Sequence, residues 1–346
     1  MCGIFGMVRA QDSDPTWASN VFVALGRLAE ERGSDAAGFA LLGENRLARA
    51  AGAAAGAATA GAAGAAGGAG GAGSPGPGGV AAADDAIHRR EVDLGVCRVV
   101  KDTRRWGQLW RREYVGGLDA ARAAFGHTRH ASQGDPETLV NASPLVVGEA
   151  LVGVHNGDVD ADALRRDLPA GIPPSRGGTD SEVLLLALDG VRGDLLGACD
   201  VLETVRGLAA VAWLDRSTPE LVYLARGALC PLAIATDARG NLYWASSPSW
   251  FRRLDERSGG RLGFEVERVP EGTLLAIAAA GSPVIRARCS FEPVARPGDD
   301  WRFPSIWNGV DRVDVEAFQA EASHRTAPSS PVAREPELAR TAAPVG

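Results

Sequence analysis

The sequence predicts an α+β fold in which β-sheets stack on one another and helices cover them. Three observations carry this expectation. Short apolar runs recur from residue 4 to residue 277 with turn residues between them. Only a few stretches show helical spacing. Strands and helices do not alternate in the way a parallel βαβ sheet requires.

The elements follow in order. Ile4 to Val8 reads as a strand that starts almost at the terminus. Asp14-Pro15 is a helix start, with Asp as the cap and Pro at the first helical position. Trp17, Val21, Leu25 and Leu28 then form one apolar stripe, and the helix is expected to end near Arg32-Gly33. Phe39 to Leu42 reads as a second strand. Residues 50–83 are almost entirely Ala and Gly, without a large apolar side chain to anchor them, and read as a flexible insertion. Order returns near Val92. Ala123 to Thr128 reads as a strand, Pro144 to Val154 as a hairpin around Gly148-Glu149, and Asp180 to Leu188 as a helix. Leu208–Leu214, Leu221–Ala225, Leu232–Ala235, Leu242–Ala245, Phe264–Val269 and Thr273–Ile277 are further strands. After about Cys289 the chain is rich in Pro, Arg, Ala and Ser. There Trp301, Phe303, Ile306 and Trp307 are expected to dock as a small clasp, with disorder beyond about His324.

Bulk properties narrow the function classes. A length of 346 residues allows one large domain or two ordinary ones. The 45% hydrophobic and 23% charged content is that of a soluble globular chain. A net charge of −7 argues against a nucleic-acid partner, which calls for a basic surface. No apolar run approaches the roughly 20 residues that span a bilayer. No basic stretch followed by an apolar one opens the chain, so a cytoplasmic protein is expected. The five cysteines, at 2, 97, 199, 230 and 289, are odd in number and widely spaced. That argues against a disulfide framework or a zinc site, and Cys97, Cys199 and Cys230 read as small buried hydrophobes.

Cys2 differs by position. Removal of Met1 would place a thiol beside a free α-amine. With ordinary pKa values of about 8.5 and about 7.7–8.0, proton transfer between the two is nearly balanced. Alone, a Met-Cys start is weak evidence. Met1-Cys2-Gly3-Ile4-Phe5-Gly6, however, resembles the start of class II glutamine amidotransferases, and four further segments follow in that family's order. These are Arg32-Gly33-Ser34-Asp35-Ala36-Ala37-Gly38, Gly126-His127-Thr128-Arg129-His130-Ala131-Ser132, Val154-His155-Asn156-Gly157 and Gly178-Thr179-Asp180-Ser181-Glu182.

The resemblance implies a four-layer α/β/β/α sandwich of the N-terminal-nucleophile hydrolases, with two stacked, mainly antiparallel sheets. It implies Cys2 as nucleophile, with its own amine as base, and Asn156 and Gly157 as the oxyanion hole. Asn-Gly is also a strong turn signal. Arg129 matches the arginine that clamps the glutamine α-carboxylate, a task that suits a guanidinium fork. Asp180 matches the aspartate that holds the α-ammonium, and it also stands where it could cap a helix, unless Thr179 does so. Ser132 is assigned to the substrate pocket and Arg32 to a supporting place near the nucleophile, while Gly33 and Gly38 serve backbone geometry. His127 and His155 occupy structural positions in this pattern. His130 stands where the family commonly has Trp or Tyr, Ser132-Gln133 replaces Thr-His or Thr-Ala, and Ala36 replaces a frequent Ser.

No metal or organic cofactor is implied. The expected domain is 2–289, with 290–346 as a partly docked extension. The resemblance ends near Ile277, and the remainder is short beside an ordinary synthase domain. Glutamine is therefore the expected substrate, with a separate synthase to consume the ammonia. The alternatives are a stand-alone amidase acting on a γ-glutamyl compound and a non-catalytic scaffold.

Overall fold

Side-chain alternation along the strands sets the layers. On β1 (Gly3–Val8), Ile4 and Val8 join one apolar cluster and Phe5 and Met7 another. On β8 (Gly207–Asp215), Leu208, Ala210, Ala212 and Leu214 join the same cluster as Ile4. Ala209, Val211 and Trp213 face a third. The shared cluster is thus the layer between two sheets, and the other two lie on their outer faces, as the period of two in a strand demands.

The computed structural model describes residues 1–43, 88–148, 150–168, 172–279, 281–299, 304–307, 309–324 and 337–338. The Ala/Gly tract at 50–83, Trp301, Phe303 and the tail beyond 324 apart from 337–338 lie outside the described residues. The first sheet runs β12 (Glu265–Arg268), β10 (Ala233–Thr236), β11 (Leu242–Ala245), β1, β5 (Ala123–Arg129), β2 (Ala36–Leu42), β4 (Cys97–Asp102), β3 (Arg89–Asp93). The second runs β15 (Glu337–Leu338), β14 (Ile285–Ser290), β13 (Thr273–Ala278), β9 (Leu221–Arg226), β8, β7 (Leu151–Val159), β6 (Leu145–Val147). The pairings between these strands are antiparallel.

Helices α1 (Pro15–Ala29), α2 (Trp106–Leu109), α3 (Val115–Ala120) and α7 (Pro248–Ser258) cover the first sheet, packing Phe22, Trp106, Leu118 and Trp250 against Phe5 and Met7. Helices α4 (Ala161–Asp167), α5 (Asp180–Asp189) and α6 (Leu195–Thr204) cover the second through Leu164, Leu185 and Leu202. The order is helix, sheet, sheet, helix: the four-layer sandwich that the sequence resemblance implies.

Local signals explain several boundaries. Asp14 Oδ1 accepts the N–H of Thr16 at 3.0 Å and Pro15 opens α1, as expected. The helix stops at Ala29, short of the expected Arg32-Gly33, and 30–35 turn into β2. The expected hairpin is present, but β7 is longer than its apolar run. Asn156-Gly157 lies inside the strand and not in a turn, because all nine residues of β7 pair with β8. A helix also forms in the polar C-terminal stretch, α8 (Arg312–His324). Cys199 on α6 and Cys289 on β14 are joined as a disulfide, which corrects the reading of Cys199 as simply a small buried hydrophobe. The packing of α6 on β14 brings together residues 90 apart in sequence. Among the described residues no helix is long and apolar enough to cross a membrane.

Candidate active site

The inter-sheet layer is apolar through most of its depth and becomes polar at one end. Cys2 stands just before β1, one alternation from Ile4, and is 8% exposed. Arg129 ends β5 and shares the parity of Phe125, and Asn156 shares the parity of Val154. Strand alternation therefore delivers nucleophile, guanidinium and amide to the same layer.

One small cleft is lined by Cys2, Arg129, Ser132, Gly157 and Asp180, together with His127, His130, Gln133, Asn141, Ser143, Thr179 and Ser181. Five of the seven residues assigned from the sequence thus meet in one place. The other two do not line it. Asn156 is fully buried just behind Gly157, its Nδ2 3.5 Å from Ser246 Oγ and its Oδ1 without a hydrogen-bond partner. Arg32 lies behind the nucleophile, where its Nε donates to the Cys2 carbonyl at 2.8 Å.

The Cys2 thiol rests against the backbone of His130, whose N–H donates to Sγ at 3.4 Å and whose carbonyl lies 3.5 Å away. Burial pushes the thiol pKa up, against the His130 N–H and the nearby terminal amine, which pull it down. The resting group is therefore a thiol. The terminal amine of Met1 is held below its ordinary value of 8.0, chiefly by burial.

Two nearby histidines are engaged within the fold. His127 Nε2 donates to the His155 carbonyl at 3.1 Å, and burial lowers its pKa to about 3. His155 is spent on Ser181 Oγ at 3.0 Å and on the Leu208 carbonyl at 3.3 Å. Both rings are thus held by partners inside the fold.

Thr179 Oγ1 accepts the N–H of Glu182 at 3.3 Å and caps α5. Asp180 is thereby left to the cleft. Its Oδ2 accepts the Val159 N–H at 2.9 Å and stands 3.9 Å from His155 Nδ1. Arg129 donates to the carbonyls of Gln133 at 2.7 Å, Gly134 at 3.1 Å and Asp135 at 3.3 Å, so the loop after β5 wraps its guanidinium. Ser132 is exposed at the mouth of the cleft.

A side chain at Gly157 would collide with Leu208 O and His155 Nε2, so the close approach of β7 and β8 requires glycine there. Because Val159 N–H points away from β8 to Asp180, alternation sends the Gly157 N–H to that same edge, past the end of β6. Gly33 is constrained in the same way, its Cα lying against the Arg129 carbonyl.

Sequence reasoning missed Gln133, Asn141 and Ser143 as lining residues. Gln133 Nε2 donates to Asp158 Oδ1 at 2.7 Å. Asn141 bridges the Asp135 carbonyl at 2.9 Å and the Gly178 N–H at 3.0 Å. Lys101, on β4, donates to the Ala142 carbonyl at 2.8 Å behind this wall, and burial lowers its pKa to about 8. The polar cluster Asn141–Ser143 beside a proline was the only local signal for these residues.

The result is a stacked two-sheet sandwich with a cysteine at the head of a central strand. Two solved structures share the fold. They are the glutamine phosphoribosylpyrophosphate amidotransferase from B. subtilis complexed with ADP and GMP (17% identity, TM-score 0.50) and a structure described as the allosteric regulatory enzyme of purine biosynthesis (17%, 0.52). Each match covers 82% of this chain and 49% of the other. No protein-family model matches. A curated relative, the isomerizing glutamine–fructose-6-phosphate aminotransferase of Pyrobaculum aerophilum, is 31% identical over 166 residues, which is 46% of this chain and 27% of that protein. The chain thus spans about a quarter of this relative and half of each structural neighbour. Over that stretch the chain resembles part of a glutamine-using aminotransferase, and over most of its length it shares the fold of the two structural neighbours.

Proposed function

We propose that this domain hydrolyses the side-chain amide of glutamine through a thioester on Cys2 and passes the ammonia to a separate synthase. The observation that carries the reading is the convergence of Cys2, Arg129, Gly157 and Asp180 on one cleft. Removal of Met1 makes the α-amine part of Cys2. Glutamine binds with its α-carboxylate toward Arg129 and its α-ammonium toward Asp180. The thiol proton moves to the amine as Sγ bonds to the δ-carbonyl carbon, and the carbonyl electron pair moves onto oxygen. The Gly157 N–H and the Asn156 amide, turning from Ser246, stabilise that oxyanion. The tetrahedral intermediate collapses, the C–N bond breaks, and the amine's proton leaves with nitrogen as ammonia. Water then attacks the thioester, the amine takes its proton, and glutamate and the thiol are restored.

We take the domain to be 2–289, with 290–346 as an extension. A synthase outside it is supported by the length of the relatives that has no counterpart in this match.

The decisive experiment measures glutamate and ammonia release by the wild-type chain and by Cys2→Ala, with intact mass read on both. Processed wild type is expected to turn over glutamine and to gain one adduct from a glutamine-analogue electrophile. Undiminished activity in Cys2→Ala, or active enzyme that keeps Met1, would overturn the proposal. For the partner, a co-purifying synthase is expected to make its product from glutamine only with intact Cys2, and from ammonium salts regardless. Turnover of bulky γ-glutamyl amides in place of glutamine would favour the amidase alternative.

A further inference from the structure

Two buried arginines lie outside the cleft yet touch its machinery from behind. Arg32 is 2% exposed and Arg226, at the end of β9, is fully buried. Arg32 holds the Cys2 carbonyl through Nε at 2.8 Å. Arg226 holds the Cys230 carbonyl through Nε at 2.7 Å, and Cys230 Sγ in turn donates to the Asn156 carbonyl at 3.1 Å. One arginine thus supports the backbone of the nucleophile. The other supports, through one residue, the backbone of the oxyanion amide.

A single C-terminal segment covers both. The Ile306 carbonyl accepts from Arg32 Nη2 at 3.2 Å, and the Phe318 ring lies on the Arg226 guanidinium at 4.6 Å. Ile306 and Phe318 are themselves buried, and Trp307 stacks on Phe318 at 6.1 Å. An ion pair from α7 to α8, Arg252 to the buried Asp314 at 2.7 Å, fastens the segment. A buried guanidinium keeps its place only while its donors are matched and water is excluded. Burial already lowers Arg32 to about 10. If the segment lifts, both guanidinia reach water, and their hold on Cys2 and Cys230 competes with solvent.

We propose that residues 304–307 and 309–324 are a positioning element for amide hydrolysis, keeping Cys2 and Asn156 in register through Arg32 and Arg226. The inference rests on the roles given to those two residues above. The glutamine clamp is secured separately, Arg129 by its own loop and Asp180 by Val159. Lifting the segment therefore slows the chemical step and leaves substrate binding in place.

The test uses the full chain and steady-state glutaminase kinetics. Phe318→Ala and Asp314→Arg are each expected to lower kcat at least tenfold with KM for glutamine within twofold. Phe318→Tyr, which keeps the ring, is expected to stay within twofold in kcat. Adding Arg252→Asp to Asp314→Arg restores the ion pair with its charges exchanged and is expected to recover most of the lost kcat. This rescue guards against simple misfolding. Unchanged kcat in Phe318→Ala and Asp314→Arg, or KM rising in step with the fall in kcat, would overturn the proposal while wild type remains active. A wild-type chain that releases no ammonia would instead overturn the underlying functional reading, and this inference with it.

Discussion

The hydroxyl of Thr179 takes the cap of α5, and the carboxylate of Asp180 beside it is thereby turned to the Val159 N–H and the cleft. The two adjacent residues divide labour between helix and site. Asp180→Asn keeps an acceptor for Val159 but loses the charge that meets an ammonium. A hydrogen bond to a charged group is worth about 1.5–3 kcal/mol, so KM for glutamine is expected to rise roughly 10- to 100-fold with little loss of stability. Thr179→Ala should show the converse, costing about 1 kcal/mol of stability. Steady-state kinetics and urea titration on both variants check the division.

Asn156 presents its Nδ2 to Ser246 across a long 3.5 Å contact, a bond easily exchanged for a stronger one to an oxyanion. Asn156→Ala is expected to lower kcat by about 10²–10³-fold while KM holds. Stopped assays over a range of glutamine concentrations separate the two constants.

Gly157 has no space for a methyl group between β7 and β8. Gly157→Ala must part the strands at their longest ladder, so a loss of roughly 3 kcal/mol or more is expected, together with activity. The midpoint of urea unfolding reads the stability term.

The pH profile follows from the amine. A base must be unprotonated, and the α-amine left on Cys2 by loss of Met1 has an ordinary value of about 7.7–8.0. The acid limb of kcat/KM is expected near that value, with activity lost as pH falls through it. A profile without an acid limb between about pH 6 and pH 9 would exclude the amine as base.

Lys101 titrates at about 8 when folded, against an ordinary 10.5. Between those values the unfolded chain binds the additional proton, so this residue makes stability rise with pH across that window, by up to about 3 kcal/mol. In Lys101→Met that rise should be shallower, as measured by urea unfolding at pH 8 and pH 10.

Much of this was legible in the sequence where local chemistry decides the outcome. The Asp14-Pro15 start of α1 and the short apolar runs of β1, β5, β8 and β13 follow from capping and alternation alone. The convergence of Cys2, Arg129, Ser132, Gly157 and Asp180 followed from ordered motifs. What was not legible depends on distant partners. Asn156-Gly157 carries a turn signal, yet Leu208 of β8 fixes it as strand. Asn141 and Ser143 reach the cleft because Lys101 holds the carbonyl between them. Cys199 and Cys289 meet only after α6 docks on β14, and α8 is too polar to announce a buried face that rests on Phe318 and Asp314.

The place of β1 in its sheet has a consequence for biosynthesis. β1 is flanked by β5, from residue 123, and β11, to residue 245. At roughly 5–20 residues per second, its second neighbour is made on the order of ten to fifty seconds after it. Throughout that interval β1 lacks a complete ladder, and Met1, partly buried in the finished fold, stays open to the trimming that the proposed mechanism requires. A strand made so long before its second neighbour is closed into its sheet late, and the delay leaves time for trimming before folding shuts Met1 away.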